Sequence, residues 1–302
     1  MKKFFEKKKS YSDKIFDIVN LVIMILLVII FVWPLWFVVV ASFSDPIATA
    51  AGQTLLLPKG FSLDGYKKIL QYKEIWIGYG NTLFYTIVGT LFNLVMTVCF
   101  AYPLASKDFK PRKFFLMAFM FTMYFSGGLI PGYLVVKEIG ILDTRWAMIL
   151  PGLISVYNGL VVRSYFMNSI PAELEEAATL DGANCAQYLM KVALPLSKPV
   201  LAVVGLYYAS AHWNDFYTAL IYIYDQKLMP LQYVLRNLLM STQMMLDDTS
   251  GLTDPQAIEE AFNAAMTMKY GVIVIAAIPL LCVYPFIQKY FVKGVMVGSV
   301  KG

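Results

Sequence analysis

The sequence predicts an all-α membrane protein with six transmembrane helices. Of its 302 residues, 59% are hydrophobic and only 15% are charged, a composition that excludes an ordinary soluble domain. A helix needs about 20 apolar residues to cross a hydrocarbon core of about 30 Å. None of the apolar runs alternates as the strands of an outer-membrane barrel do, which favours helices. The six runs cover residues 18–44, 75–106, 114–136, 146–162, 199–224 and 270–288.

Lysine and arginine residues predict how these helices are oriented. Most of them fall on one side of the plasma membrane if the N-terminus is cytosolic, so both termini are expected in the cytosol. The net charge of +5 follows from this bias and from contact with anionic lipid headgroups, and it does not indicate nucleic-acid binding. The expected order is a cytosolic tail (1–17), a first helix (18–44), a core (75–288) with a cytosolic loop (163–198) and an external loop (225–269), and a cytosolic tail (289–302).

The first two helices differ in polarity. The first carries Pro34 and almost no polar residue at its centre, and it is too long for the apolar part of a signal peptide. It is therefore expected to be a retained, lipid-facing helix. The second places five hydrogen-bonding side chains on one helical face, namely Thr82, Thr86, Thr90, Asn93 and Thr97. Two interpretations stay open for this face: polar packing between helices, or a substrate path lined by Asn93 and Thr97.

Glycine and proline residues interrupt the third and fourth helices. Ser126-Gly127-Gly128 and then Pro131-Gly132 should break the third helix near the outer surface. Pro151-Gly152 should shorten or kink the fourth. Interrupted helices line the pathway in many transporters.

A helix–turn–helix pattern follows on the predicted cytosolic side, from Pro171 to Pro195. Pro171 suits a helix start, and acidic residues next to it complement the positive end of the helix dipole. Gly182 can end this helix in the left-handed conformation, and Asn184 can cap a second helix that ends at Pro195. Small and apolar side chains beside the acidic ones suit insertion into a groove of another protein.

The fifth helix contains the only histidine of the chain, in the run His212-Trp213-Asn214-Asp215. Asp215 follows Pro199 by about 24 Å of helix and should lie in the outer part of the membrane. A carboxylate there should face a cavity or a partner, and His212 lies one turn away. Three interpretations stay open: a structural, pore-lining pair of His212 and Asp215; substrate contact by Trp213, Asn214 and Asp215; or proton coupling.

The external loop of residues 225–269 is long, with expected helical pieces at 231–240 and 255–266. A loop of this length is usually functional. The sixth helix contains Pro279 and Pro285, and the chain ends in the basic tail that closes with Gly298, Ser299, Val300, Lys301 and Gly302.

The helix–turn–helix pattern resembles the signature of the transmembrane subunits of binding-protein-dependent ABC importers. That signature is Glu-Ala-Ala, three residues, Gly, nine residues, Ile, one residue, and Leu-Pro; only Val192, in place of isoleucine, departs from it. The resemblance implies the type I importer permease fold, in which a cytosolic coupling helix contacts the ATPase subunit. The residues that it assigns to this contact are Glu175, Glu176, Ala177, Ala178, Asp181, Gly182, Leu194 and Pro195.

Two further segments resemble maltose-type carbohydrate importers within that family. The Trp-Asn-Asp-Phe run at residues 213–216 is similar to one in sugar permeases, and the ending at residues 298–302 is similar to a tail that inserts between the ATPase subunits. The resemblance implies three kinds of partner: an ABC ATPase dimer that holds ATP and Mg²⁺, a second permease in a heterodimer, and an extracellular sugar-binding protein that can be lipid-anchored. The external loop would reach into the sugar cleft of that binding protein.

Motifs for chemistry are absent from the sequence. It contains no phosphate-binding G-x-x-x-x-G-K-[ST], no H-E-x-x-H and no G-x-S-x-G, so we expect no enzyme activity and no cofactor or metal bound by this chain. Cys99, Cys185 and Cys282 suggest neither a disulfide nor a metal site. The alternative function is a proton-coupled secondary transporter that uses Asp215 and His212. An intramembrane protease would need a nucleophile motif that the chain lacks.

Overall fold

The computed structural model describes residues 11–247, 268–279 and 281–282. This part of the chain is mostly helical and contains no β-strand, which confirms the predicted helical class. Short 3₁₀ turns lie at Arg145–Met148 and Gln226–Leu228, and a π-turn lies at Leu189–Ala193. The α-helices are α1 (Tyr11–Ser42), α2 (Pro46–Ala50), α3 (Asp64–Gln71), α4 (Lys73–Ala105), α5 (Arg112–Tyr124), α6 (Leu129–Glu138), α7 (Val156–Ser169), α8 (Ala172–Leu180), α9 (Cys185–Tyr188), α10 (Leu194–Leu196), α11 (Lys198–Trp213), α12 (Tyr217–Tyr222), α13 (Leu231–Asp247) and α14 (Met268–Pro279).

Two helices in the described ranges, α1 and α4, are long and apolar enough to cross a membrane by themselves. Two further spans are possible if bent pairs are counted: α5 with α6, at 115°, and Cys185–Leu196 with α11, at 79°. The shorter helix α14 begins the predicted sixth span, and residues 283–288 of that span lie outside the described residues. The predicted number of six transmembrane helices therefore stays a prediction.

The third predicted span is interrupted where glycine was expected to interrupt it. Helix α5 ends at Tyr124, and α6 begins after Gly128, whose φ of 91° suits glycine. The break lies at Gly127-Gly128, and Pro131 follows it inside α6. It occupies the first turn, where proline costs no internal hydrogen bond.

The fourth predicted span, 146–162, is interrupted at Pro151-Gly152 as expected, but its helical part has other bounds than predicted. Residues 149–155 are not helical, and α7 begins only at Val156 and continues to Ser169. Arg163 is accommodated inside this helix because its Nε donates a hydrogen bond of 2.9 Å to the carbonyl of Leu104. A charge within the apolar pattern therefore did not end the helix.

The fifth predicted span, 199–224, is also broken. Helix α11 ends at Trp213, and α12 begins at Tyr217, so Asp215 lies in the break and not within a helix. Its Oδ1 accepts a hydrogen bond of 3.0 Å from the backbone N–H of Thr218 in the first turn of α12. The interpretation in which His212 and Asp215 pair finds no hydrogen bond between them among the described residues, and His212 Nε2 bonds to Asn93 instead.

Several predicted segments fall at the edge of the described residues or beyond it. The expected helix at 231–240 is confirmed and is longer than predicted, since it forms the first part of α13. The expected helix at 255–266 and the tail residues 298–302 lie outside the described residues.

The described residues fall into two compact units, one drawn from Met1–Gln71 and Leu239–Ile275 and the other from Tyr72–Leu238 and Ala276–Gly302. In the first unit, α1 exposes nearly all of its side chains and buries only Val40, Ala41 and Ser42. Such a surface suits lipid. Helix α3 contacts the C-terminal end of α1, where the Tyr66 hydroxyl donates a hydrogen bond of 2.8 Å to Ser42 Oγ.

In the second unit, α4 is the central helix and packs chiefly on α11 and α7. Two apolar cores lie at different levels along it. One is built around Phe100, Ala101 and Leu104 near the C-terminal end of α4, and the other surrounds Tyr85. The predicted polar face of α4, which includes Asn93, lies between these two cores.

Candidate functional site

The hairpin of α8 and α9, which we call the coupling hairpin (residues 171–184 with α9), has well-defined ends. Pro171 is the N-cap of α8, one position before the predicted first turn. At the other end the N–H of Gly182 bonds to the Thr179 carbonyl, and the N–H of Ala183 bonds to the Ala178 carbonyl. These two bonds form a Schellman motif, and the φ of +77° at Gly182 is the left-handed conformation that this motif requires.

The second helix of the hairpin begins with a reciprocal cap. Asn184 Oδ1 accepts from the Gln187 N–H at 2.8 Å, and Gln187 Oε1 accepts from the Asn184 N–H at 2.9 Å. This confirms Asn184 as the predicted cap. The predicted end at Pro195 is displaced, because the chain continues through the π-turn and α10 to Leu196 before it bends into α11.

Helix α8 is unusually exposed for a helix that carries apolar side chains. None of its residues is buried, and Leu180, at its C-terminal end, is 89% exposed. Within the described part of the chain, the carboxylates of Glu173, Glu176 and Asp181 form no ion pair. The hairpin therefore presents an apolar tip surrounded by acidic side chains, without a partner from the described residues.

The base of the hairpin, in contrast, is packed into the core around Phe100. Tyr188 is 7% exposed, and the smaller Ala178 is partly buried against the same core. Burial raises the pKa of Tyr188, and the Glu175 carboxylate raises it further, so Tyr188 is neutral at physiological pH. Glu175, Tyr188 and Tyr102 of α4 line a small cavity of about 50 Å³.

Three hydrogen bonds connect this base to the membrane helices. The Tyr102 hydroxyl contacts the carbonyl of Cys185, and the Tyr165 hydroxyl of α7 donates to the carbonyl of Leu196 at 3.2 Å. Ser197 is fully buried, and its backbone N–H donates a hydrogen bond of 3.0 Å to the carbonyl of Ala193. Displacement of the hairpin would therefore be transmitted to α4, α7 and α11 together.

Of the predicted contact residues, Glu175, Glu176, Ala177, Asp181, Gly182 and Pro195 are exposed. Ala178 and Leu194 are partly buried, and Ala178 packs against the core, as does Val192 of the signature. The hairpin thus combines an outer face with a packed inner face. Tyr102 and Tyr188 were not predicted, although their position next to the signature could have suggested them.

The predicted substrate-path residues divide into a buried and an exposed group. Asn93 and Thr97 are completely buried and make hydrogen bonds inside the chain, and Trp213 is 5% exposed and donates to the carbonyl of Ala276. Asn214 is exposed, and its Nδ2 donates to the Ser210 carbonyl at 2.8 Å. A role of any of them in the path stays a prediction.

The exposed face of α11 and α12 carries aromatic and amide side chains. Tyr207 and Ala211 on α11 and Asn214 directly after it lie at helical spacing and are exposed, as is Tyr217 at the start of α12, whereas the opposite face of α11 packs on α4. Asparagine is unfavourable in contact with lipid tails, and a tyrosine hydroxyl needs a polar partner. This face is the more suitable candidate for an aqueous path.

The described residues contain no group of three or more His, Cys, Asp or Glu side chains that could hold a metal ion. The three cysteines are free and exposed.

Known transport proteins are similar to this chain in sequence and in fold. Protein LplC of Bacillus subtilis is 40% identical over 291 residues, which cover 96% of this chain and 96% of LplC. The polygalacturonan/rhamnogalacturonan transport system permease protein YtcP of the same species is 38% identical and is covered completely. A chain in the crystal structure of a bacterial ABC transporter involved in the import of the acidic polysaccharide alginate superimposes with a TM-score of 0.82 at 32% identity, covering 94% of this chain and 99% of that one.

A family model matches most of the protein as well. Residues 75–297 match the family described as binding-protein-dependent transport system inner membrane component, a range that includes the whole coupling hairpin. The chain therefore belongs to the family of inner membrane components of binding-protein-dependent transport systems.

Proposed function

We propose that this chain is a permease subunit of an ATP-driven importer that forms the path for an oligosaccharide delivered by an extracellular binding protein. The observation that carries the proposal is the coupling hairpin, exposed at Leu180 and packed at Tyr188. The permease is not an enzyme, and ATP is hydrolysed by a separate subunit. The partners are an ABC ATPase dimer holding ATP and Mg²⁺, a second permease, and a sugar-binding protein that can be lipid-anchored.

The proposed arrangement in the membrane follows the distribution of basic residues. The chain crosses the plasma membrane several times, with both termini and the coupling hairpin in the cytosol. The tail residues 298–302 would then reach the ATPase from the same side as the hairpin. The external loop after residue 225 would face the binding protein.

The proposed mechanism is alternating access. Closure of the ATPase dimer displaces the hairpin, and the contacts of Tyr102, Tyr165 and Tyr188 pass that displacement to the membrane helices. A rigid-body movement needs a surface that fits its partner more than it needs ion pairs, since exposed ion pairs contribute at most about 1 kcal/mol. The apolar tip at Leu180 suits such a fit.

The proposed cargo is an acidic oligosaccharide. YtcP is named for polygalacturonan and rhamnogalacturonan and the solved transporter for alginate, which are acidic polysaccharides, whereas the more distant GanQ and AraQ are named for galactooligosaccharides and arabinooligosaccharides. In this chain Arg145 lies over the ring of Phe84 at 4.7 Å, and no carboxylate of the described residues pairs with it. A guanidinium without a carboxylate partner can bind the carboxylate of a sugar acid. Tyr207, Asn214 and Tyr217 would line the path.

The test is reconstitution in vesicles of the chain with its ATPase, second permease and binding protein. We expect the ATPase and second permease to co-purify, and uptake of trigalacturonate to need ATP and to persist when a protonophore removes the pH gradient. Uptake by this chain alone, driven by a pH gradient, would contradict the proposal and favour the secondary transporter.

The cargo is tested separately with trigalacturonate, a mannuronate trimer, galactotriose and arabinotriose. ATP-dependent uptake of the two acidic trimers supports an acidic cargo. Uptake of the neutral trimers alone would reject the acidic cargo and leave the importer assignment intact.

A further inference from the structure

Residues 149–155 form a non-helical segment between the 3₁₀ turn and α7, beside the middle of α4. Its first residue, Ile149, is completely buried, whereas Pro151 and Gly152 are exposed. Backbone without helical hydrogen bonds is tolerated at membrane depth only where protein buries it or where it lines a water-filled cavity. This chain buries one side of the segment, and the exposed side is free to line a water-filled cavity.

Asn93 on α4 binds the buried side of the segment. Its Nδ2 donates two hydrogen bonds of 2.9 Å, one to the carbonyl of Gly152 and one to the carbonyl of Leu153. Because both amide hydrogens are used, Oδ1 must face the remaining neighbour, His212 Nε2, at 2.7 Å. The amide oxygen can only accept, so His212 carries a hydrogen on Nε2 and donates it.

Tyr208 makes a second set of contacts one turn away. Its hydroxyl accepts a hydrogen bond of 3.1 Å from the backbone N–H of Ser155 and lies 2.8 Å from Thr97 Oγ1. Both side chains are nearly or completely buried. The segment is thus bonded at Gly152 and Leu153 by one side chain and at Ser155 by another.

These four side chains follow the geometry of two packed helices. Asn93 and Thr97 are four residues apart on α4, and Tyr208 and His212 are four residues apart on α11, so each pair lies on one face. Gly89 permits the close approach of the helices, because a β-carbon there would overlap the His212 ring. We call Asn93, Thr97, Tyr208 and His212 the polar clamp.

We propose that the polar clamp is a positioning device that fixes residues 149–155 to α4 and α11, so that the exposed backbone at Pro151-Gly152 lines the translocation path and moves with these helices. The inference rests on the proposed transport function. It gives Asn93 and Thr97 an indirect role, since they hold a path segment and do not themselves touch the cargo. It also gives His212 a role that does not involve proton transfer.

The test uses the complete transporter complex, with its binding protein, in a cysteine-free background (Cys99→Ala, Cys185→Ser, Cys282→Ala). Gly152→Cys supplies the reporter, because a β-carbon at this position meets no atom within 4 Å. Its reaction rate with a membrane-impermeant maleimide is measured in the nucleotide-free and the vanadate-trapped complex. Only complexes with binding-protein-stimulated ATP hydrolysis are labelled, so a failure of the proposed function is seen before the clamp is tested.

We expect Gly152→Cys to react, with rates that differ between the two states. Thr97→Val and Tyr208→Phe should each change the ratio of the two labelling rates by about fivefold, which is the effect of one hydrogen bond. Thr97→Ser keeps the hydroxyl and should give the ratio found with Thr97. Thr90→Val is the matched control, because the Thr90 hydroxyl has no hydrogen-bond partner among the described residues. A variant that only lowered the melting temperature would leave the difference unchanged.

Two results would overturn the inference. One is a Gly152→Cys that fails to react in both states, which would mean that the segment does not line an aqueous path. The other is wild-type labelling in both Thr97→Val and Tyr208→Phe. If the complex with Tyr208→Phe does not assemble, Thr97→Val alone tests the polar clamp, since valine has nearly the same shape as threonine.

Discussion

The hydroxyl of Tyr102, near the C-terminal end of α4, lies 3.5 Å from the carbonyl oxygen of Cys185, the first residue of α9. The Tyr102 ring also packs edge-on against Phe166 of α7, with ring centroids 6.0 Å apart. This side chain of α4 thus contacts both the coupling hairpin and α7. Tyr102 is therefore one of the side chains that link the exposed hairpin to the helix bundle of the second unit.

We predict that Tyr102→Ala uncouples ATP hydrolysis from uptake. Loss of the ring removes the contact with Phe166 and should also cost about 2 kcal/mol of stability, less than for a fully buried aromatic residue. Tyr102→Phe keeps the ring and loses only a long hydrogen bond, so it should retain coupling. The measurement is the ratio of sugar imported to ATP hydrolysed in vesicles; equal ratios for wild type and Tyr102→Ala would refute the prediction.

We predict that Gly182→Val impairs coupling without preventing membrane insertion. Gly182 has a φ of +77°, which costs a β-branched residue about 1–2 kcal/mol, while no atom within 4 Å would clash with the new side chain. The defect should therefore come from the backbone turn alone. Gly182→Asn is the control, because asparagine tolerates this conformation. The readouts are uptake and binding-protein-stimulated hydrolysis, and wild-type values for both in Gly182→Val would contradict the prediction.

Leu180 should be required for binding of the ATPase subunit and dispensable for folding. It is 89% exposed, so Leu180→Asp removes no packing within the chain. A charge in an apolar groove is costly to desolvate, and we expect at least about a tenfold loss of ATPase affinity. Leu180→Met, which keeps the apolar character, should bind normally. Co-purification of the ATPase measures binding, and the melting temperature of the permease measures folding, so the two effects can be told apart.

The hairpin could be predicted from the sequence because its signals are local. Gly182 ends α8 and Asn184 caps α9 through bonds to residues within five positions, and such short-range chemistry can be read from spacing. The π-turn at Leu189–Ala193 has no such signal in the sequence. The end predicted at Pro195 lies one residue before the end of α10 at Leu196.

The membrane segments were harder to predict because distant residues determine where their helices break. From the sequence, Asp215 was a possible partner for His212. In the structure His212 bonds to Asn93, which is more than a hundred positions away, and Asp215 bonds to Thr218. The polar face of α4 was recognised, but its partners at Gly152, Leu153 and Tyr208 were not. Tyr208 lies one turn before His212 on the same face, and that spacing could have suggested a shared role.

Gly89→Ala should loosen the contact between α4 and α11 at the level of His212. A β-carbon at position 89 would overlap the imidazole ring, and the ring can withdraw only by giving up its hydrogen bond to Asn93 Oδ1. The Asn93 amide would then hold the Gly152 and Leu153 carbonyls with its oxygen unpaired, at a cost of about 1–3 kcal/mol.

Gly80→Ala, on the same helix but with no atom within 4 Å of the added carbon, is the matched control. We expect a lower melting temperature of the purified complex for Gly89→Ala than for Gly80→Ala, and His212→Ala should partly relieve the difference by making room. Equal melting temperatures for the two glycine variants would mean that the helices do not approach each other at this position in the assembled transporter.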